Sequence, residues 1–305
     1  MLNQAKVAVL LATYNGSQFI SEFLDSLLLQ SLNSFVVFVR DDCSSDNTLD
    51  IVRSHSSKLE IVIVEGGKRV GPAYSFLTLL RAAGADFDCF LFADQDDYWH
   101  REKLERSCKA LSQHHNQPAL YFTRLEYVND RLGHIGFSPL RRHYGLNNAL
   151  VENIATGCTM AINRPARELI VRATPAAMIM HDWWAYIVIS ALGIVISDDF
   201  VAVKYRLHGN NTIGVSTSTF ANYKKKLIRF IKRDRGIFGL LDQTNQFKAC
   251  YWDLLDREQR HMVSMLVNGK RNMLSRFQLS IFSPFIRQTT MDTVILRLLF
   301  LINRY

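Results

Sequence analysis

The first hundred residues alternate between short apolar runs and amphipathic segments, and this alternation restricts the fold more than any other feature of the chain. Apolar runs of strand length lie at residues 6–12, 35–39, 59–64 and 89–93. Segments with helical spacing of apolar residues separate them, at residues 17–30, 46–55 and 72–83. Strands that alternate with helices favour a mainly parallel sheet with helices on both faces. We therefore predict an α/β fold.

The fourth apolar run ends abruptly in a group of carboxylates. Asp94, Gln95, Asp96 and Asp97 follow Ala93 directly. Carboxylates this close repel one another unless a cation lies among them, and their oxygens suit a hard divalent ion such as Mg²⁺ or Mn²⁺. Asp97 could instead cap a helix that begins near His100. Since a cap accounts for only one carboxylate, we predict a metal or ligand site at this turn.

Polar turns also follow the first two predicted strands. Thr13-Tyr14-Asn15-Gly16 comes after the first strand, and a run from Asp41 to Asp46 comes after the second. Ligands of parallel sheets collect at the carboxyl ends of the strands. We therefore expect all three turns to contribute to one site.

The second half of the chain has a different pattern. Strand-like stretches lie at residues 119–128, 158–162 and 200–205, and an apolar helix is predicted over residues 181–192. Beyond residue 218 the pattern is helical, with longer segments at 238–267 and 270–282. We predict an α/β domain at residues 1–215, followed by a helical extension at residues 216–305 that could associate with a membrane.

Composition narrows the class of protein further. Hydrophobic residues make up 48% and charged residues 21% of the 305 residues, which is ordinary for a globular protein. The five cysteines show no Cys-x-x-Cys spacing, so we expect neither a disulfide framework nor a zinc cluster, and a reducing, cytoplasmic setting. No apolar run approaches the roughly 20 residues that a membrane-spanning helix needs.

The net charge of +8 is concentrated in one segment, Tyr223 to Arg235, where seven basic residues stand against Asp234. Apolar residues recur there at helical spacing. Such a helix could lie on an anionic membrane surface, at the inner face of the cytoplasmic membrane, or it could be the solvated face of a helix packed on the preceding domain. Nucleic acid is not expected as a partner, because no aromatic side chains alternate with the charges.

Four motifs in order resemble the family 2 inverting glycosyltransferases with the GT-A fold, a Rossmann-like fold of enzymes that use nucleotide-diphosphate sugars. The motifs are Thr13-Tyr14-Asn15-Gly16, Asp41-Asp42-Cys43-Ser44-Ser45-Asp46-Asn47-Thr48, Asp94-Gln95-Asp96-Asp97-Tyr98-Trp99 and His181-Asp182-Trp183-Trp184. Together with Tyr205-Arg206-Leu207-His208-Gly209-Asn210-Asn211, they are similar to the bacterial rhamnosyltransferase branch, which builds O-antigen and other surface polysaccharides. The resemblance covers about residues 5–215.

The resemblance implies a role for individual residues on the donor side. Those that border the nucleotide-sugar are Thr13, Tyr14, Asn15, Asp42 and Asp94, with Asp42 at the base or ribose and Asp94 near the ribose. Asp96 is the implied metal ligand, and His208 lies where some relatives place a residue that meets the metal or the diphosphate. Cys43 departs from the family pattern, because many relatives have glycine there, and this leaves the role of Asp41 as opposed to Asp42 open.

On the acceptor side, the resemblance implies that Asp182 is the catalytic base. Without it, Asp182 would read as a helix N-cap. Trp183 and Trp184 cannot both face the core at adjacent helical positions, so we expect one of them to line the acceptor cleft. Gly157 belongs either to an acceptor-binding loop or to a plain entry into a strand.

The resemblance implies transfer of a sugar from a nucleotide donor, dTDP-L-rhamnose or alternatively a UDP-sugar, to a saccharide or lipid-linked saccharide. The residue types suit this chemistry, since the leaving diphosphate needs charge stabilisation and the acceptor hydroxyl needs a general base. A nucleotidyltransferase is less well matched, because residues 13–18 contain no lysine or arginine. A non-catalytic membrane- or partner-binding protein would leave the acidic cluster and Asp182 without a role.

Overall fold

The structure, a computed structural model, describes residues 5–207 and 239–305. Within these residues the strands are β1 (Val7–Thr13), β2 (Phe35–Asp41), β3 (Ile61–Ile63), β4 (Cys89–Asp94), β5 (Tyr98–Trp99), β6 (Ala119–Val128), β7 (His134–Phe137), β8 (Met160–Asn163) and β9 (Ile194–Arg206). The α-helices are α1 (Ile20–Leu28), α2 (Thr48–His55), α3 (Gly71–Ala82), α4 (Lys103–Ser112), α5 (Leu146–Ala149), α6 (Arg164–Val171), α7 (His181–Leu192), α8 (Leu240–Tyr251), α9 (Arg257–Asn268), α10 (Met273–Phe282) and α11 (Thr290–Leu301).

These strands form one mixed sheet in the order β3-β2-β1-β4-β8-β6-β9-β5, with β7 paired to β6. The first four strands of this order are mutually parallel, as the alternation of strands and helices predicts. Beyond β4 the described pairings are antiparallel, between β4 and β8, β6 and β8, β6 and β7, and β5 and β9. The parallel part is therefore confined to the region where helical crossovers separate the strands, because parallel neighbours need long connections.

Helices cover both faces of the parallel part. Val9 and Leu11 of β1 share one core cluster with the apolar faces of α1, α2 and α4. On the opposite face, Phe76 of α3 meets Phe92 of β4 edge to face at 5.7 Å between ring centroids. The two faces follow from strand geometry, because successive side chains point to opposite sides of a sheet. The predicted α/β architecture with helices on both faces is confirmed.

The described residues divide into two compact units. The first contains residues 5–140, 155–172 and 196–207, and the second contains residues 141–154, 173–195 and 239–305. Helices α5 and α7 lie in the second unit, although they precede the boundary at residue 215 that we predict from the sequence. The first unit carries the acidic cluster, and the second carries Asp182.

Two element boundaries differ from the sequence-based expectation. The helix predicted over 238–267 is interrupted after Tyr251, and α9 starts anew with Asp256 and Gln259 forming a capping box. Strand β9 starts at Ile194, six residues before the predicted start, because Ser197, Asp198 and Asp199 hide its apolar pattern. Among the described residues, none of the helices combines the length and the apolar character needed to cross a bilayer. His208 and the basic segment Tyr223–Arg235 lie outside the described residues.

Candidate active site

Three turns at one edge of the sheet are joined by hydrogen bonds. Tyr14 N donates to Gln95 Oε1 at 2.9 Å, and Gln95 Nε2 donates to Tyr14 O at 2.9 Å. Asn15 N donates to Ser44 Oγ, and Ser45 N donates to Asn15 Oδ1, both at 2.8 Å. The turns after β1, β2 and β4 thus form one bonded assembly, as expected from the polar residues that end these strands.

Strand register explains why the turns meet. Thr13 lies opposite Asp41 in the pairing of β1 with β2, and Ala12 lies opposite Asp94 in the pairing of β1 with β4. The three strands therefore end level with one another, and Thr13 Oγ1 donates to Asp41 Oδ1 at 2.8 Å. Gly16 completes the arrangement, because a Cβ there would lie 2.1 Å from Gln95 Oε1.

Asp42 is buried beside Arg40. Arg40 Nη1 donates to Asp42 Oδ1 at 2.7 Å, while Val70 N and Gly71 N donate to Oδ1 and Oδ2, both at 2.8 Å. Burial alone would raise the pKa of Asp42, but the bonds from Arg40 and the two amides outweigh it and lower the pKa below its ordinary value. Asp42 therefore stays ionised and ties β2 to the start of α3.

Cys43 adopts a left-handed backbone conformation, with φ at 68°. Glycine adopts this conformation without strain, which explains why a glycine suits the position. The turn is nonetheless closed, because Ser44 N and Ser44 Oγ both donate to the carboxylate of Asp41, at 2.7 and 2.5 Å. Cysteine at this position therefore leaves the hydrogen bonds of the turn intact.

Tyr14 and Arg69 form a planar surface at the same edge of the sheet. The Arg69 guanidinium lies over the Tyr14 ring, 3.8 Å from its centroid, and the ring itself is exposed. Arg69 has no place in the sequence motifs, and no signal in its neighbourhood identifies it.

The carboxylates after β4 differ sharply in their surroundings. Asp94 and Asp96 are half-buried, whereas Asp97 is completely buried. One oxygen each of Asp94 and Asp97 and the Sγ of Cys158 lie within 4.8 Å of one another. Asp96 is not a member of this group, so its role as a metal ligand remains a prediction from the family motif.

Asp97 is not a helix cap, contrary to the alternative considered from the sequence. Helix α4 begins at Lys103 and has Glu102 as its N-cap residue, so Asp97 lies too far along the chain to cap it. Burial, then the charges of Asp94 and Asp96, raise the pKa of Asp97 well above its ordinary value. The hydrogen bond from the Cys158 thiol and then the charge of the buried Lys103 act against this rise in the pKa.

Lys103 is the buried cation beneath this cluster. Its Nζ donates to Cys158 O at 2.7 Å and lies 4.5 Å from the centre of the Trp99 ring. Burial lowers the pKa of Lys103 to about 8, against the opposing effects of Cys158, Asp97, Cys89 and Asp94. The sequence motif ends at Trp99 and does not include Lys103. The only hint in the sequence is that Lys103 lies four residues after the motif, on the next helix.

The donor set of this cluster fits a hard divalent cation. Neither oxygen of the buried Asp97 accepts a hydrogen bond from a nitrogen or oxygen of the described residues, and the Cys158 thiol and the charge of Lys103 offset its burial only in part, which leaves room for the charge of a cation. Burial raises the pKa of the Cys158 thiol, which keeps it protonated and unsuited to bind such an ion. The carboxylates are therefore the ligands that the described residues offer.

Arg206 holds the turn that carries Asp96. Its Nε donates to Asp96 O at 3.0 Å, and its other nitrogens donate to Asp130 O and to Glu22 Oε2. The guanidinium also lies 4.4 Å from the centre of the Phe19 ring. The sequence motif around Tyr205 contains this arginine, but the spacing of the motif assigns it no role.

In the second unit, Asp182 lies in the first turn of α7 and is buried. The helix is capped by Met180 rather than by Asp182, so the reading of Asp182 as an N-cap is wrong. Its Oδ1 instead accepts a 2.6 Å hydrogen bond from Trp183 N. The base role of Asp182 stays a prediction.

The two tryptophans of α7 have different surroundings, as adjacent helical positions require. Trp184 is 1% exposed and packs on Phe247 and Tyr251 of α8, with ring centroids 6.4 and 6.0 Å away. Trp183 is half-buried, and its Nε1 donates to Ala149 O at 2.7 Å. Trp184 is therefore a core residue, and contact of Trp183 with an acceptor remains a prediction.

Gly157 lies in the first unit, at the start of a short 3₁₀ turn that spans Gly157–Thr159. The turn is closed by Thr159, whose N and Oγ1 both donate to Thr156 O. It leads directly into β8, and it also places Cys158 against the acidic cluster. Contact of Gly157 with an acceptor remains a prediction.

Comparison with known proteins adds to this geometry. The family described as Glycosyl transferase family 2 matches residues 8–169. The dTDP-rhamnosyl transferase RfbG of Shigella flexneri is 27% identical over 229 residues, which are 70% of this chain and 77% of that protein. The poly(ribitol-phosphate) beta-N-acetylglucosaminyltransferase TarS of Staphylococcus aureus is 34% identical over 129 residues, 41% of this chain and 22% of that protein.

The fold also has solved counterparts. The crystal structure of S. aureus TarS residues 1–349 in complex with UDP superposes with a TM-score of 0.59 and 19% identity, covering 90% of this chain and 75% of that one. At this level of identity the likeness concerns the fold alone. It agrees with the GT-A fold that the four motifs imply.

Proposed function

The chain belongs to glycosyl transferase family 2, and from that premise we propose that it is an inverting enzyme that transfers L-rhamnose from dTDP-L-rhamnose to a saccharide or lipid-linked saccharide. The product would be a bacterial surface polysaccharide such as O-antigen. The observation that carries the proposal is the bonded assembly of the turns after β1, β2 and β4, with Asp94 and Asp96 at its mouth. The choice of donor is supported by the likeness to RfbG over 229 residues.

The donor nucleotide would bind along this assembly. Thr13, Tyr14 and Asn15 border it from the end of β1, and the exposed ring of Tyr14 offers a stacking surface for a base. Asp42 would act at the base or ribose from its fixed position beside Arg40. Asp94 would lie on the ribose side.

A divalent cation would be held by Asp96, with Mg²⁺ and Mn²⁺ as the ions that carboxylates prefer. When bound, the cation offsets charge on the diphosphate leaving group. The half-buried state of Asp96 supports this assignment, because a ligand of a cation that meets the diphosphate must be reachable from solvent. The prediction that His208 assists Asp96 concerns a residue outside the described part of the chain.

Asp182 would act as the general base. Its carboxylate would take the proton of the acceptor hydroxyl while that oxygen attacks the anomeric carbon. The bond from this carbon to the diphosphate oxygen breaks, and its electron pair leaves with the nucleoside diphosphate. Attack opposite the leaving group inverts the anomeric centre. The bond from Trp183 N to Oδ1 supports the proposal, because it fixes the orientation of the carboxylate.

The acceptor would meet Trp183, whose half-buried ring suits stacking on a sugar, and the turn at Gly157. Which saccharide serves as the acceptor depends on contacts between the protein and a few hydroxyl groups of that saccharide.

A donor panel tests the proposal. The purified full chain is supplied with Mn²⁺, a saccharide acceptor and dTDP-L-rhamnose, UDP-glucose, UDP-N-acetylglucosamine or GDP-mannose in turn, and the release of nucleoside diphosphate is measured. We expect the fastest release from dTDP-L-rhamnose. Preference for a UDP-sugar would refute the rhamnose assignment alone, whereas release from no donor in the presence of varied acceptors would contradict the transferase activity.

A further inference from the structure

Helices α10 and α11 leave an unusual amount of apolar surface in contact with solvent. Of the twenty large apolar side chains that are exposed among the described residues, ten lie on these helices and their flanks. They are Met273, Leu274, Phe277, Ile281, Phe282, Met291, Val294, Leu298, Leu301 and Ile302. Met273 is 79% exposed and Phe282 is 70% exposed. We call these ten residues the apolar face.

The apolar face is not a sign of poor packing, because both helices have a second, buried face. Leu279 of α10 is completely buried, as is Phe300 of α11, whose ring meets that of Phe285 at 6.2 Å. Ser280 Oγ of α10 donates to Arg297 O of α11 at 2.9 Å. The exposed residues recur at helical spacing on the opposite side, as Met273, Phe277 and Ile281 do along α10.

The exposed charges on α10, α11 and their flanks are positive. From Lys270 to the last residue the chain carries six cationic side chains, namely Lys270, Arg271, Arg276, Arg287, Arg297 and Arg304. Asp292 is the one carboxylate side chain in that stretch, and it is buried and accepts a hydrogen bond from Thr289 Oγ1 at 2.9 Å. Lys270, Arg271 and Arg304 are exposed. Within this stretch the exposed charge is therefore positive, and the exposed Asp242 of α8 lies close enough to raise the pKa of Lys270 against the effect of burial.

We propose that the apolar face of α10 and α11 is a docking surface for an anionic phospholipid bilayer. Exposed Phe, Leu, Ile and Met side chains enter the boundary between headgroups and acyl chains, and the flanking lysine and arginines meet the lipid phosphates. Helix α11 has 12 residues, which suits a helix that lies in the plane of the interface.

Charge favours a bilayer over a second copy of the chain as the occupant. Two copies meeting through this face would bring an excess of like charges together, because six cationic side chains from Lys270 onward stand against the exposed Asp242 near Lys270 and the buried Asp292. A bilayer with anionic headgroups supplies the complementary charge. The proposal goes beyond the transfer reaction and does not depend on donor or acceptor identity.

Flotation of the purified full chain with vesicles tests the proposal. We expect the protein to float with vesicles of phosphatidylcholine and phosphatidylglycerol, and much less with phosphatidylcholine alone. Changing Phe277→Ser together with Phe282→Ser should lower binding to the anionic vesicles about tenfold or more, since both rings leave the interface. Arg271→Gln with Arg304→Gln should weaken binding to anionic vesicles about tenfold and leave the weak binding to neutral vesicles unchanged.

Phe137→Ser provides a matched control. Phe137 is 52% exposed, close to the 49% of Phe277, but it lies on β7 of the first unit. This variant should float like the wild type. Circular dichroism of every variant checks that the helices are retained.

Four outcomes would overturn the proposal. The first is failure of the wild type to float with anionic vesicles, and the second is flotation of the variant of Phe277 and Phe282 as complete as that of the wild type. Loss of flotation only when Lys224, Lys225 and Lys226 are changed to glutamate would assign binding to the basic segment instead. A concentration-dependent dimer that the variant of Phe277 and Phe282 abolishes, without flotation of the wild type, would assign the apolar face to a second copy.

Discussion

The guanidinium of Arg206 donates a hydrogen bond of 3.0 Å to the backbone carbonyl of Asp96, across 110 positions of sequence. Because this arginine is buried and also bonds Glu22 and Asp130, it anchors the acidic turn to two other parts of the first unit. The position of the Asp96 side chain therefore depends on a residue that would not itself contact the donor.

Replacing Arg206 by lysine should loosen the acidic turn. A lysine keeps the charge but cannot reproduce the several directed bonds of a guanidinium. We expect a loss of roughly 1–3 kcal/mol in the free energy of unfolding, measured with urea. Metal-dependent stabilisation by dTDP should also weaken. Arg53→Lys is the control, because its ion pair with Asp50 is exposed and contributes only about 0–1 kcal/mol. Equal effects of the two changes would contradict the anchoring role.

Asp182→Asn should abolish most transfer while leaving donor binding intact. Loss of a general base lowers the turnover rate by roughly 10² to 10⁴. The measurement pairs nucleoside diphosphate release with a thermal shift induced by dTDP. Asp253→Asn, at an exposed position of the same unit, should turn over at the wild-type rate. Substantial turnover by the Asp182 variant would remove this residue as the base.

Asp96→Asn should make nucleotide binding independent of the cation. An amide lacks the charge with which a carboxylate holds Mg²⁺ or Mn²⁺. We expect dTDP to raise the melting temperature of this variant equally with and without Mn²⁺, whereas the wild type should respond more strongly with the ion. The exposed Asp199→Asn in the same unit serves as control. A wild-type response to Mn²⁺ in the Asp96 variant would refute the ligand role.

Cys43→Gly should stabilise the protein. Cys43 has a φ of 68°, a conformation that is unfavourable for residues with a Cβ. The gain should be roughly 0.5–1 kcal/mol in the free energy of unfolding, after the entropy that glycine adds to the unfolded chain. Cys250→Gly is the opposite case, because Cys250 lies within α8 and glycine is the less favourable of the two residues in a helix. A destabilising Cys43→Gly would show that the turn relies on the thiol side chain.

His181 should make the protein less stable in acid. Burial lowers the pKa of His181 to about 3, from 6.5 in an exposed imidazole. Above pH 6.5 both the folded and the unfolded form are neutral at this residue, so it has no effect on the pH dependence there. Between these values the unfolded chain binds a proton that the folded chain does not, so stability falls by up to about 1.4 kcal/mol per pH unit as the pH decreases.

The matching variant is His181→Gln, which cannot titrate. Its stability should fall less steeply between pH 6.5 and 4.5 than that of the wild type in urea titrations. His261→Gln, at an exposed position, should keep the wild-type slope. Parallel slopes for all three proteins would mean that the imidazole becomes protonated in the folded state.

The assembly of turns was predictable because its signals are local. Each strand end is marked in the sequence by polar residues directly after an apolar run, and in a parallel sheet these ends lie at one edge. The burial of Asp97, the lysine beneath it and the bonds of Arg206 were not predictable. They depend on side chains that converge from distant segments, and a single sequence carries no record of that convergence. The start of β9 was hidden for a simpler reason, since three polar residues interrupt its pattern.

The reciprocal bonds between Tyr14 and Gln95, with Gly16 pressed against the same amide, bear on attempts to redesign donor preference. If the loop after β1 alone were replaced by that of another transferase, the new loop would lack the matching loop after β4 with which it must form hydrogen bonds. The loops after β1 and β4 should therefore be exchanged together. The loop after β2 should be exchanged with them, because its serines form hydrogen bonds with Asn15.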